Sequence, residues 1–122
     1  LSGSQTLTGA KTLAQTIQTV TSYSPSASGT ATLNLSLGNV HLINMPAGNI
    51  TIAVSGGSTG QCFIVEILQD GTGSRVVTWF STIKFPGGVT PTLTTTGSKK
   101  DTFGFRITGS NTYDAYVLAQ NL

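Results

Sequence analysis

Apolar and polar residues alternate along most of this 122-residue chain, which is the pattern of β-strands that bury one face. The clearest runs cover residues 31–37, 40–45, 50–54 and 101–107, and Gly, Pro, Asn or Asp lies beside them. Because short turns join the first three runs, we expect an antiparallel meander there. The whole pattern predicts an all-β fold, an antiparallel β-sandwich of jelly-roll type with about eight strands, over residues 29–122.

The run from Cys62 to Leu68 is apolar on both faces, so we expect this strand to be central or to lie against another subunit. Cys62 is expected to be a small buried hydrophobic residue. Glu66 lies in the same run, and a buried carboxylate needs either solvent or a cation. The candidate cations are Arg75, Lys84 and Arg106.

Turn residues separate the later strands. Asp70-Gly71 between two apolar runs predicts a hairpin with a loop of four or five residues that leads to a strand around Trp79. Pro86-Gly87-Gly88 is expected to end the preceding strand with a sharp reversal. Residues 108–112 predict a final hairpin turn, and residues 113–120 the last strand.

The first 28 residues predict a connector or arm that ends in a Ser- and Pro-rich linker. Leu13, Ile17 and Val20 are spaced four and three apart, as on one face of a short helix. The neighbouring β-branched residues favour an extended arm equally, so both forms stay open. Because the chain begins at Leu1 rather than Met, we expect it to be a piece of a longer protein.

Charge is sparse, since only 8% of residues are charged and the formal net charge is +2. Low charge weakens the repulsion between copies and favours a homo-oligomer. The few cations are too scattered for a nucleic-acid site, and the Lys99-Lys100 pair is interpreted as a solvated turn. No apolar run reaches the ~18 residues of a membrane-spanning helix, and no signal peptide is apparent.

The chain offers few groups for catalysis. Its four carboxylates are Glu66, Asp70, Asp101 and Asp114, and a hydrolytic pair is not expected among them. Asp70 is explained by its turn, and Asp101 is expected to cap backbone N–H groups at a strand start. One His and one Cys form no metal-ligand pattern, so His41 is expected to be structural. We predict no enzyme activity, no metal and no cofactor, although an ion shared on an oligomer axis lies beyond a single-chain sequence.

Aromatic residues remain as candidates for ligand contacts. Those on strand patterns are expected in the core, namely Trp79, Phe80, Phe85, Phe103 and Phe105. Around the last turn, Asn111, Tyr113, Asp114 and Tyr116 combine tyrosines with short polar side chains, a composition suited to sugar contacts. The alternative interpretation is that both tyrosines are half-buried strand residues.

Several motifs resemble a known family. QDGTGSRVVTW (69–79), KFPGGVTPTLT (84–94), DTFGF (101–105) and YDAYV (113–117) are similar to a module that recurs near the C-termini of bacteriophage tail-fibre, tailspike and other virion proteins. QTLTGAKTL (5–13) also resembles a connector of phage fibre shafts and collars. Neither motif set carries catalytic residues.

The resemblance implies a non-enzymatic virion structural protein, part of a trimeric tail or head fibre involved in assembly and host-surface attachment. Its implied partners are further copies of the chain, other virion proteins bound through the N-terminal arm, and a host glycan or protein. Such a protein would be made in the bacterial cytoplasm and released in virions. Two alternatives stay open: a carbohydrate-binding module detached from a hydrolase, and a capsid decoration protein.

Overall fold

The fold is all-β, as predicted. The computed structural model describes residues 3, 6, 8–10, 12 and 14–122. Its nine strands are β1 (Val20–Tyr23), β2 (Thr30–Asn34), β3 (Val40–Asn44), β4 (Ile50–Ser55), β5 (Cys62–Leu68), β6 (Val77–Thr78), β7 (Ile83–Lys84), β8 (Lys100–Gly109) and β9 (Thr112–Ala119). The only helical element in this described part is a short 3₁₀ turn over Pro86–Gly88, at the reversal that the sequence predicts.

The first six strands wind as a coil that alternates between two sheets. One sheet has the order β1-β3-β5-β8-β9-β7, and the other has the order β2-β4-β6. Within the coil each strand pairs in parallel with the strand two places along the chain. Val20 pairs with Val40, and Thr30 pairs with Thr51, so each turn of the coil takes about twenty residues.

The predicted antiparallel meander over residues 31–54 is therefore wrong. Gly38-Asn39 and the turn at residues 46–49 are corners that carry the chain from one sheet to the other, so consecutive strands do not pair. The prediction of an antiparallel, jelly-roll-like arrangement fails for the same reason, since five of the seven strand pairs are parallel. Alternation of apolar residues fixes which face of a strand is buried, but it does not fix the strand's partner.

The Asp70-Gly71 turn is also a corner and not a hairpin. It joins β5 of the large sheet to β6 of the small sheet. Its local chemistry is nevertheless that of a tight turn: an Asp70 carboxylate oxygen accepts a hydrogen bond from the Gly73 N–H at 2.7 Å. The Arg75 guanidinium donates to the other oxygen at 2.7 and 3.1 Å.

Antiparallel pairing is confined to the second half of the chain. β5 pairs with β8, and β8 pairs with β9 through the final hairpin turn that the sequence predicts. β5 consequently lies between β3 and β8, which confirms that this doubly apolar strand is central.

The core lies between the inner faces of the two sheets. Phe63, Phe103 and Phe105 from the large sheet are almost fully buried, as are Leu33 and Ile52 from the small sheet. The predicted core aromatics are confirmed: Phe80 is buried, and Trp79 and Phe85 pack against the same cluster. Burying each such side chain stabilises the fold by about 1.5–3 kcal/mol relative to exposure.

The predicted arm joins the large sheet before residue 28, because β1 pairs with β3. No helix is present at residues 14–23, and Ile17 is 82% exposed. Leu13, the first residue of the proposed helical stripe, lies outside the described residues, as do Gln5, Leu7 and Lys11 of the 5–13 motif. The boundary at residue 28 stays a prediction.

Candidate functional site

The four candidate sugar-contacting residues do not form one cluster. Asn111 lies in the hairpin turn and Tyr113 points into the core side of β9. Asp114 and Tyr116 belong to the opposite, outer face, and Tyr116 is half exposed. Side chains alternate along a strand, so residues 113 and 116 cannot share a face.

A groove lies beside the final hairpin turn and brings Asn111 and Tyr113 together. It consists of two adjoining cavities of about 200 and 440 Å³, and both are lined by Val54, Asn111 and Tyr113. The smaller cavity extends over the loop at residues 55–59, and the larger one extends to Trp79. Among the described residues, none that lines either cavity is charged.

The groove exists because β6 is too short to cover its neighbour. β6 pairs only with Ile50 and Thr51 of the six-residue strand β4. The Ile50 N–H donates to the Val76 carbonyl, and hydrogen-bonding groups alternate in direction along a strand. The N–H and C=O of Val54 therefore point to the same side of β4, beyond the end of β6.

Tyr113 forms the floor of the groove. Its side chain is 5% exposed, and its ring meets Phe80 edge-on with centroids 4.8 Å apart. No described residue hydrogen-bonds its hydroxyl, yet the described residues contain no fully buried polar atom without a partner. The hydroxyl must then reach the open space of the groove. Burial raises the pKa of this phenol, so it stays a hydrogen-bond donor.

Backbone hydrogen bonds hold Asn111 and Tyr113 in place. The Asn111 carbonyl accepts from the Thr82 N–H at 2.8 Å, and the Tyr113 N–H donates to the Thr82 carbonyl at 2.9 Å. Asn111 has a φ of 52°, a left-handed conformation that Asn tolerates better than most residues. Its side chain is exposed, which leaves the amide free to meet a ligand.

A second surface lies on the outer face of the large sheet. The strand registers align Val20, Val40, Ile64, Gly104 and Tyr116 in one apolar row across five strands. The Leu118 side chain occupies the space beside Gly104, where a Cβ would lie 3.3 Å from its nearest methyl, and Leu118 is 54% exposed.

Cys62 is exposed beside this row, so the prediction that it is buried is wrong. It opens β5 on the outer face, where no second layer covers it within the described part of the chain.

His41 is structural, as predicted. Its ring is fully buried, Nδ1 lies 3.1 Å from the Tyr23 hydroxyl and Nε2 lies 2.9 Å from the Gly38 carbonyl oxygen. The Tyr23 oxygen also accepts from the Asn34 N–H at 3.0 Å. Burial lowers the pKa of His41, although the Gly38 contact opposes the shift.

Asp101 caps backbone groups, as predicted. The buried carboxylate accepts from the Thr94 N–H at 2.6 Å and from the Asn121 N–H at 3.0 Å. The Thr94 hydroxyl and the Gln120 amide also donate to it. This carboxylate fastens the C-terminal tail to the loop before β8.

Glu66 meets a cation, but none of the three candidates is its partner. Its carboxylate forms an ion pair with Lys100. Lys100 opens β8, opposite Leu68, so the antiparallel register brings its ammonium beside Glu66. The interpretation of Lys99-Lys100 as a solvated turn is consequently wrong for Lys100, which belongs to a strand.

The described residues offer neither a metal-ligand cluster nor a membrane-spanning helix. They contain no group of three or more His, Cys, Asp or Glu residues that could hold a metal ion. None of their helical segments is long and apolar enough to cross a membrane.

The chain was also compared with known proteins. No family model, curated protein or solved structure matches it.

Proposed function

We propose that this chain is a non-enzymatic structural protein of a phage virion, part of a trimeric tail or head fibre that serves in assembly and in attachment to the host surface. The sequence motifs at residues 69–79, 84–94, 101–105 and 113–117 are the source of the proposal. The trimer and the location in the virion, after synthesis in the bacterial cytoplasm, come from the same resemblance.

The surroundings of the ionisable groups support a structural role. Asp70 holds a corner with Arg75, Glu66 pairs with Lys100, and Asp101 caps backbone N–H groups. Asp114 faces Arg106 across the β8–β9 pair. Asp70, Glu66 and Asp101 thus have local roles in the fold, and none of the four carboxylates lines the groove.

The observation that carries the proposal is the apolar row on the outer face of the large sheet. Val20 and Tyr116 are 54% and 50% exposed, and Leu118 adds to the same surface. Contiguous exposed apolar patches mark protein interaction sites. We infer that further copies of the chain cover this row, and that the segment before β1 connects the unit to the rest of the fibre.

The two sheets contribute side chains to one core, as the sheets of a β-sandwich do. We infer a sandwich whose first half is a parallel coil and whose second half is antiparallel.

Replacement of Leu118 by Lys tests the proposed interface. A charged side chain at position 118, beside the row, would have to lose its hydration on assembly. We therefore expect Leu118→Lys to convert the trimer into monomer, as measured by light scattering at micromolar concentration. Val76→Lys is the matched control, because Val76 is equally exposed at 55% but follows the corner that leads to the small sheet. Dissociation by both variants, or by neither, would contradict this interface.

A carbohydrate-binding module detached from a hydrolase is the second candidate, and the groove favours it. That candidate predicts a monomer that binds glycans, whereas a fibre predicts a trimer. A capsid decoration protein would share the trimer and would bind capsids instead of host cells.

A further inference from the structure

We infer that the groove between β4 and the β8–β9 turn is a binding site for a neutral saccharide, with the Tyr113 hydroxyl and the Asn111 amide as its polar contacts. This inference rests on the proposed function, because attachment to a host requires a surface ligand. The surface ligand would be a neutral saccharide that hydrogen-bonds to Tyr113 and Asn111.

The Tyr113 hydroxyl is the observation that points to a ligand. More than nine-tenths of this residue is buried, yet its hydroxyl has no hydrogen-bond partner among the described residues and reaches the open space of the groove. Phe at this position would bury the same ring on Phe80 without a polar atom to hydrate. A hydroxyl at the floor of a groove is explained by a group that enters the groove and pairs with it.

The walls favour an uncharged, hydroxyl-rich ligand. The described residues that line the two cavities carry no charge, so an ionised sugar or a phosphate would lose its hydration there without gaining a counter-charge from them. The lining instead offers hydroxyls, such as those of Thr51 and Ser81, and the partly exposed ring of Trp79. Aromatic surface combined with a few placed polar groups is typical of sites for small neutral ligands.

The open edge of β4 adds the backbone N–H and C=O of Val54. β4 ends at the next residue, Ser55. An added peptide strand needs several consecutive backbone pairs, as in other cases of strand addition. The stretch of β4 beyond the end of β6 is only a few residues long and suits a sugar hydroxyl better, so a saccharide is favoured over an extended peptide.

The test is an NMR titration of the ¹⁵N-labelled chain with neutral trisaccharides of glucose, galactose and mannose, with a sialylated trisaccharide for comparison. We expect a neutral trisaccharide to shift the amide signals of Val54, Asn111 and Tyr113. Tyr113→Phe should weaken its binding about three- to tenfold, the usual value of one hydrogen bond. The fold should be unaffected, since the hydroxyl has no partner within the described residues.

Matched variants separate the groove from the rest of the predicted cluster. Tyr116→Phe removes a hydroxyl from the outer face of the same strand and should leave the affinity unchanged. Asn111→Gly removes the amide while it keeps the left-handed backbone, so weaker binding would be due to the lost contact. Asn121→Gly is its control, because Asn121 has a similar φ of 60° but does not line the groove.

Three results would overturn the inference. The first is that no neutral trisaccharide binds at about 10 mM, a concentration well above a weak Kd of ~1 mM. The others are that the sialylated trisaccharide binds more tightly than the neutral ones, or that Tyr116→Phe weakens binding as much as Tyr113→Phe. Insertion of an extended peptide at Val54 in place of a sugar would also overturn it. Light scattering of the same samples tests the proposed function separately, since a trimer without sugar affinity refutes only the groove.

Discussion

At the residue scale, Tyr23 and His41 form a hydrogen-bond chain with one consistent direction. The Asn34 N–H donates to the Tyr23 oxygen, the Tyr23 hydroxyl donates to Nδ1 of His41, and Nε2–H of His41 donates to the Gly38 carbonyl. This order requires a neutral imidazole with its proton on Nε2. Protonation of Nδ1 would reverse the contact with Tyr23 and place a charge in the core.

His41 should therefore make folding stability depend on pH. Its pKa is lowered in the folded state, so the unfolded chain takes up a proton first as the pH falls. We expect the free energy of unfolding to be highest above pH 6.5 and to fall through the lowered pKa of His41. Denaturant titrations at neutral pH and at about pH 5 would measure this, in the range where His is the usual titrating group.

His41→Gln is the control for this prediction, since a neutral amide should flatten the slope over that range. The lowered pKa of Asp70, caused first by its hydrogen bond with Arg75, affects stability only at more acid pH, below its ordinary 3.8. The same pH slope in the wild type and in the His41→Gln variant would contradict the role of His41.

Sequence reasoning at this scale succeeds where the cause is local. The structural role of His41, the capping role of Asp101 and the turn at Asp70 each follow from neighbouring residues. The partners of Glu66 and His41 do not, because Lys100 and Tyr23 are brought to them by strand register. The exposure of Cys62 likewise depends on which layers cover the sheet.

At the element scale, the strands are predictable and their pairing is not. Alternating apolar residues locate β2, β3, β4 and β8 closely, and a continuous apolar run locates β5. A corner between sheets and a hairpin between neighbours, however, use the same Gly, Pro and Asn residues. The interval of about twenty residues between similar positions is the sequence feature that indicates which strands pair. Val20 and Val40, and Pro25 and Pro46, recur at that interval, which indicates a coil.

The corner after β5 gives a test of this account of the turns. Gly73 has a φ of +79°, and a Cβ there would collide with the Thr95 carbonyl. We expect Gly73→Ala to lower the free energy of unfolding by about 2 kcal/mol or more, because strain and a backbone clash combine.

Gly71 lies two residues away in the same corner, and a Cβ there would meet nothing within 4 Å. Gly71→Ala should change the free energy of unfolding by less than about 0.5 kcal/mol. Equal effects of the two substitutions in denaturant titrations would contradict the corner geometry.

At the scale of the whole molecule, the two candidate surfaces lie on opposite sides of the large sheet. Tyr113 faces the groove, whereas Tyr116 belongs to the apolar row on the outer face. Copies can therefore cover the outer face and leave the groove open. The sequence identified both tyrosines as candidate ligand contacts. It did not show that they lie on different surfaces, which follows from the alternation of side chains along β9 and from the short β6 that leaves the groove open.

Assembly through the outer face is the central claim, and native mass spectrometry of the unmodified chain tests it most directly. At micromolar concentration we expect one dominant species with three times the mass of the chain. A stable monomer under the same conditions would contradict the claim.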